Sequence, residues 1–312
     1  QARTAYERAL TDPEAFAVML SEFIALGDWR LFFYGRDQLD QMTRDKIDAA
    51  ADKYFVRDNR VLGMFIPEEA PQRAEIPSAP SAAQLLAGYR AQTAGDAGET
   101  FDPSYDNITR RSLRRSFGDL QVAMLPKKNR GQTVQVAFSF HWGDEQSLKN
   151  RDLAGALTYA MLGRGTSRYT RQQIADEMTR LKMRGHLLHF ETTRGKLPEA
   201  LRLVAHLWRE ASFPASEFAA LKLEQLTSLQ AQMDNPEALS SDALLTHFNT
   251  YPAGDPRHYA SLGERIAQLR TVTADDLILY HRQLIGTARG EMAVVGDFDT
   301  ASPVQGFDNK VV

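Results

Sequence analysis

Thr133-Val134-Gln135-Val136-Ala137-Phe138-Ser139-Phe140-His141-Trp142 is the stretch on which the fold turns. Val134, Val136, Phe138, Phe140 and Trp142 fall on one side of an extended chain, and Thr133, Gln135, Ser139 and His141 on the other. Neighbouring side chains of a strand point to opposite faces, so this alternation predicts a half-buried strand with one apolar face. Upstream, residues 120–125 read as a second strand, and the run Pro126-Lys-Lys-Asn-Arg-Gly131 between the two as a turn. The expected arrangement is a hairpin. Downstream the apolar period lengthens to that of a helix. Leu153, Leu157, Ala160 and Met161 share one helical face, and Gly163 with Gly165 ends that helix.

Further helices are expected over residues 170–182 and 197–209, from Pro214 to about Met233, from Pro236 onward, and over 259–269 and 274–284. Residues 187–193 and 291–295 read as two more strands. These strands are expected to form a mixed sheet with helices packed mainly on one face.

Before this unit, residues 13–27 read as a helix through Phe16, Leu20, Phe23 and Ile24, and Thr43 as the N-cap of another reaching Tyr54. Residues 60–66 read as a strand. Composition changes at Pro67, and Pro71, Pro77, Pro80 and Pro103 follow among many Ala, Ser and Gly residues. The expected division is a fragment at 1–66, a Pro-rich linker at 67–108 with a short helix near 82–91, and a self-sufficient unit at 109–312. The linker is the expected site of proteolytic cleavage, between Glu68 and Thr100. One repeat is visible. Thr43-Arg-Asp45-Lys-Ile47 recurs 230 positions on as Thr273-Ala-Asp275-Asp-Leu277, with a helix before it, a helix after it and a strand beyond. Such a match predicts that the chain starts in the tail of one copy of a domain and continues into most of another.

Composition bounds the function. The chain has 312 residues, a net charge of −3, 43% hydrophobic residues and no cysteine. No Lys/Arg cluster is long enough to follow a phosphate backbone, so nucleic acid is not an expected partner; Arg110, Arg111, Arg114 and Arg115 read as a solvated lead-in to a strand. No apolar run approaches the roughly 20 residues of a membrane span. Without cysteine there is neither a disulfide nor a thiol nucleophile, which fits periplasm and cytoplasm equally.

Several segments together resemble bacterial M16 (insulinase/pitrilysin-type) zinc peptidases. Gly27-Asp28-Trp29-Arg30-Leu31-Phe32-Phe33, Asn59-Arg60 and Phe65-Ile66-Pro67 resemble the end of the family's N-terminal half. Leu125-Pro126-Lys127-Lys128, Gly143 to Leu148, Met161 to Thr166 and Val294-Val295-Gly296-Asp297-Phe298 resemble its C-terminal half. The resemblance implies the mitochondrial processing peptidase/LuxS-like α+β fold, in a clamshell of two halves that encloses a peptide substrate.

Active halves carry His-x-x-Glu-His on the first helix after the opening strands. Two His four apart lie on one helical face and hold Zn²⁺, while the Glu takes a proton from the metal-bound water. On this alignment Ala156 and Ala160 stand at the histidine positions and Tyr159 at the general base. Leu221 and Ser228 stand at the supporting and metal-binding glutamates of a later helix. The resemblance therefore implies a non-catalytic half, inactive on its own. Zinc is expected in a catalytic half that is fused upstream or supplied by a separate chain. Periplasmic location is implied in the same way.

Two other classes stay open: a binding or assembly module of the same fold with no role in proteolysis, and a hydrolase with a non-zinc site, for which no Ser-His-Asp or Cys-His signature exists. The seven histidines read as structural. His186 and His189, taken as one strand, point to opposite faces. Glu224 reads as solvated, and Asp144 with Glu145 diverge in extended chain. Tyr159 to Ser228 is shorter than the resemblance implies, so residues are expected to be missing near Gly185, and likewise in the run 300–306 around Ser302.

Overall fold

The computed structural model describes residues 5–6, 9–61, 63, 81–90, 98–286 and 289–300. They form two compact units, residues 1–97 and 98–312.

In the first unit, α1 (Pro13–Ala25) starts where the Asp12 carboxylate accepts from the N–H groups of Glu14 and Ala15, both at 3.1 Å. Helices α2 (Arg30–Asp40) and α3 (Arg44–Tyr54) follow. Phe32 on α2 is fully buried, met edge-on by Phe16, Phe23 and Phe33 and at a tilt by Tyr6, all at 5.0–5.8 Å. No residue of α3 is buried. The short helix α4 (Ala82–Leu85) begins at a capping box of Ser81 and Gln84. Of the strand expected at 60–66, Arg60, Val61 and Gly63 are not in a strand, and the rest lies outside the described residues.

The second unit opens with α5 (Tyr105–Arg111), in the stretch read as a basic lead-in; its Arg111 pairs with Glu99 at 2.7 Å. A six-stranded sheet follows, in the order β1-β2-β6-β3-β5-β4. Its strands are β1 (Leu113–Phe117), β2 (Leu120–Pro126), β3 (Thr133–Phe140), β4 (Arg184–His186), β5 (His189–Thr193) and β6 (Gly290–Gly296). The hairpin expected of β2 and β3 does not form. β6 lies between them, parallel to β2 with Met124 opposite Val294, and antiparallel to β3 with Val136 opposite Val294. Alternation specifies which face of β3 is buried but not which strand lies beside it.

Between β3 and β4 run α6 (Asp152–Met161) and α7 (Arg171–Arg180); α8 (Leu197–Arg209), α9 (Ala215–Met233), α10 (Pro236–Phe248), α11 (Leu262–Thr271) and α12 (Ala274–Leu284) separate β5 from β6. The alternating residues Val122, Met124, Val134, Val136, Met292 and Val294 are at most 2% exposed, and α8 covers them with Leu197, Leu201, Val204 and Leu207. At about 1.5–3 kcal/mol for each large apolar side chain buried, this layer dominates the stability of the unit. On the opposite face Arg114, Gln121, Ala123, Ser139, Glu291 and Ala293 are exposed. The helices thus lie mainly on one side of a mixed sheet. A second apolar cluster joins Leu157 and Met161 of α6 to Phe218 and Leu221 of α9, Leu262 and Leu269 of α11 and Leu277 of α12.

Around Gly185, β4 and β5 form a hairpin with only Leu187 and Leu188 in its turn. Gly185 has φ +111°, and a Cβ there would strike the carbonyl oxygen of His189, so the close approach of the strands requires glycine. His186 and His189 are therefore not successive positions of one strand. They face each other across the hairpin with ring centroids 6.4 Å apart, because the turn between them restores them to one side. The region around Ser302 lies outside the described residues.

Candidate functional site

Helix α6 positions the first group of candidate residues. Its inward face is set by Leu157, Thr158 and Met161, all buried. The Thr158 hydroxyl donates to the Ala154 carbonyl at 2.7 Å, so the polar group is satisfied inside its own helix. Gly155 receives the ring of Tyr280 from α12. That anchoring leaves Ala156 and Ala160, one turn apart, exposed on another face, with Tyr159 half-buried beside them.

The Tyr159 hydroxyl lies 3.1 Å from Nδ1 of His186, and its ring 6.2 Å from that of Trp208. Burial pushes the Tyr159 phenol above its ordinary value. A phenol displaced in that direction holds its proton at neutral pH and cannot act there as a general base.

Behind Tyr159 the aromatic residues of β3, with Trp142 just beyond its end, form a ladder. Phe138 and Phe140 stack at 5.7 Å, as do Phe140 and Trp142, and Trp208 leans on Phe140 at 5.1 Å and on Trp142 at 5.4 Å. The Trp142 indole donates to the Gly286 carbonyl at 2.8 Å, and His281 Nε2 lies 2.6 Å from the Trp208 carbonyl. His281 is thereby a fastener between α12 and the end of α8. Phe138, Phe140, Trp208, Phe213, Ile278 and Ile285 line an apolar cavity of about 820 Å³.

Helix α9 carries the later positions. Leu221 is 2% exposed and packs in the second apolar cluster with Leu157 and Met161, while Ser228 is exposed to solvent. Glu224 is solvated but paired: Arg164 donates to it at 3.0 Å and also lies 3.8 Å from Glu217. Asp144 and Glu145 do not converge. The first holds a turn by accepting from the Ser147 and Gln146 N–H groups, which lowers its carboxyl below the ordinary range, and the second pairs with Arg257 at 3.1 Å. Gly165, with φ +156°, closes the end of α6 against Pro214. His206 is held in the fold by Thr166 at 3.0 Å and by the edge of Tyr169.

Zinc needs several N, O or S donors converging within about 2.0–2.3 Å of the ion. Ala156 and Ala160 end in methyl groups, Leu221 is apolar, and Ser228 offers a neutral hydroxyl. These residues do not fit the metal. Among the described residues, no three His, Cys, Asp or Glu side chains come close enough to hold one. The Tyr159–His186 contact and the Trp208 junction were not singled out by the sequence. Their one signal was the aromatic character of β3, which said nothing of partners 27 or more residues distant.

A six-stranded mixed sheet with helices mainly on one face defines a class by its architecture, an α+β domain. Comparison with solved structures gives that class its fold, which is that of M16 peptidase domains. The chain is similar to an M16 peptidase inactive domain from Pseudomonas fluorescens, at 21% identity and a TM-score of 0.52 over 61% of this chain and 47% of that one. It is also similar to a protease from Helicobacter pylori, at 16% identity and a TM-score of 0.50 over 62% of this chain and 48% of that one. The chain spans about half the length of these structures. No family model and no curated protein matches it. No described helix is long and apolar enough to cross a membrane.

Proposed function

We propose that this chain supplies the non-catalytic half of a zinc-dependent M16-type peptidase, and that its second unit forms part of the chamber enclosing a peptide substrate. The observation that carries the reading is a fold shared with an inactive M16 domain, joined to methyl groups at Ala156 and Ala160 and a neutral hydroxyl at Ser228 in place of ligands. The uncovered sheet face, small and polar through Ser139, Ala123 and Ala293, supports a role as a wall. Enclosure excludes bulk water and limits the size of what is cut. Zinc, the general base and the metal-bound water belong to a catalytic half, fused upstream or supplied as a partner chain, and the pair works in the periplasm.

The test has two arms. The isolated chain is incubated with unfolded peptides with and without chelator, and the complete natural assembly is treated likewise. The expected result is no cleavage by the chain and chelator-sensitive cleavage by the assembly. Chelator-sensitive cleavage by the isolated chain overturns the reading. An assembly without any His-x-x-Glu-His half leaves instead a binding module of the same fold.

A further inference from the structure

Helices α3 and α12 are the same element in the same register. Each has 11 residues, and they lie 230 positions apart at both ends, Arg44–Tyr54 against Ala274–Leu284. Their N-caps are superimposable: Thr43 has φ −115° and ψ 161°, and Thr273 has φ −116° and ψ 163°. Each Thr hydroxyl accepts from the N–H three residues on, at 3.4 and 3.3 Å. The preceding helices keep the same register. Phe32 of α2 matches Leu262 of α11, and both are at most 2% exposed; Leu39 matches Leu269.

The register fails in burial along one face of the second helix. Leu277 of α12 is 0% exposed, whereas Ile47, its equivalent on α3, is 57% exposed. What covers Leu277 is known. It sits in the cluster with Leu157 and Met161 of α6, and its carbonyl lies 3.4 Å from the Thr158 hydroxyl. One turn on, Tyr280 lies over Gly155 of α6, and its equivalent on α3 is the exposed Ala50. The outward side of the helix does not change, since Leu279 is 47% exposed and its equivalent Ala49 is also exposed.

We propose that the α2–α3 pair is a docking surface for a sheet-and-helix body built like residues 113–261, whose counterpart of α6 seats against Ile47. Inside the second unit this same helix face, in this same register, is already the interface with α6. Ala50 in place of Tyr280 leaves room for a full side chain where α6 has Gly155. A second copy of this chain is disfavoured as the occupant, because its own α12 already fills that seat with a fully buried Leu277. The proposal does not depend on whether the docked body is catalytic.

These 312 residues hold no cysteine, so a thiol introduced here can be followed at its own peptide after digestion. Ile47→Cys and, as a control, Ala49→Cys are introduced into the 312-residue chain and into the longest natural polypeptide, with its partners, that contains it. Labelling by a maleimide is then timed. In the isolated chain both thiols label rapidly. In the natural assembly Ile47→Cys should slow by at least about tenfold, since reaction then requires local opening, while Ala49→Cys keeps its rate. Equal rates for Ile47→Cys in the two settings overturn the proposal, as does protection already present in the isolated chain. Ile47→Asp gives a second reading: it should lower the thermal midpoint of the assembly and leave that of the isolated chain unchanged.

Discussion

Replacing Gly155 by Ala sets two effects of opposite sign against each other. Gly155 lies inside α6, where Ala is ordinarily more favourable by about 1 kcal/mol because glycine loses more backbone freedom on folding. A Cβ at this position, however, would lie 2.7 Å from the Tyr280 hydroxyl oxygen, 2.8 Å from Cζ and 3.1 Å from Cε2. Optimal carbon contacts are at about 3.5–4.0 Å, so the ring must retreat by most of an ångström. Tyr280 is 8% exposed and belongs to the same helix as fully buried Leu277, so it has little room to yield. Overpacking of this kind costs about 1–3 kcal/mol, which outweighs the helical gain and leaves a net loss of about 0–2 kcal/mol.

Gly263 in α11 is the control, since a Cβ there meets nothing within 4 Å and Gly263→Ala keeps the helical benefit. Urea unfolding of both variants, compared at unchanged m, should therefore place Gly155→Ala at least about 1 kcal/mol below Gly263→Ala. Equal stabilisation by the two substitutions refutes the reasoning, for it would mean that the α6–α12 seat is loose.

Three further outcomes follow from the same structure. Leu277→Ala should cost the isolated chain about 2–5 kcal/mol while Ile47→Ala costs under about 0.5, because only the first opens a cavity; comparable losses in denaturant titrations would contradict the assigned burial. Burial holds the His206 imidazole below its ordinary value, so the unfolded chain takes up this proton first as pH falls. The stability contributed by neutral His206 is thus present above the unfolded value of about 6.5 and is lost as pH drops through the depressed folded value. His206→Gln should flatten that part of the stability profile, and an unchanged slope between pH 7 and 5 would remove the assignment. Finally, dialysed chain should hold zinc well below stoichiometry, and the triple change Ala156→His, Tyr159→Glu and Ala160→His should not create activity while Ser228 lacks a carboxylate; elemental analysis and a peptide assay check both.

By itself the sequence determined whatever depends on residues near one another along the chain. The alternation of residues 133–142 assigned the buried face of β3, and the caps at Thr43 and Thr273 started helices that the structure contains. The 230-residue offset exposed a duplicated helix before any coordinate did. Chemistry absent from a side chain is equally local, so the inability of Ala156 and Ala160 to bind metal needed no fold.

Tertiary structure alone decided adjacency. It put β6 between β2 and β3, brought His186 and His189 face to face, and set Tyr159 against a histidine on an edge strand. It also separated Ile47 from Leu277, two residues that read alike in sequence and differ completely in burial. The physical reason is common to all four. Local pattern fixes the direction in which a side chain points, whereas the group that meets it comes from elsewhere in the chain or, for Ile47, from another body, and is chosen by how apolar faces close over one another.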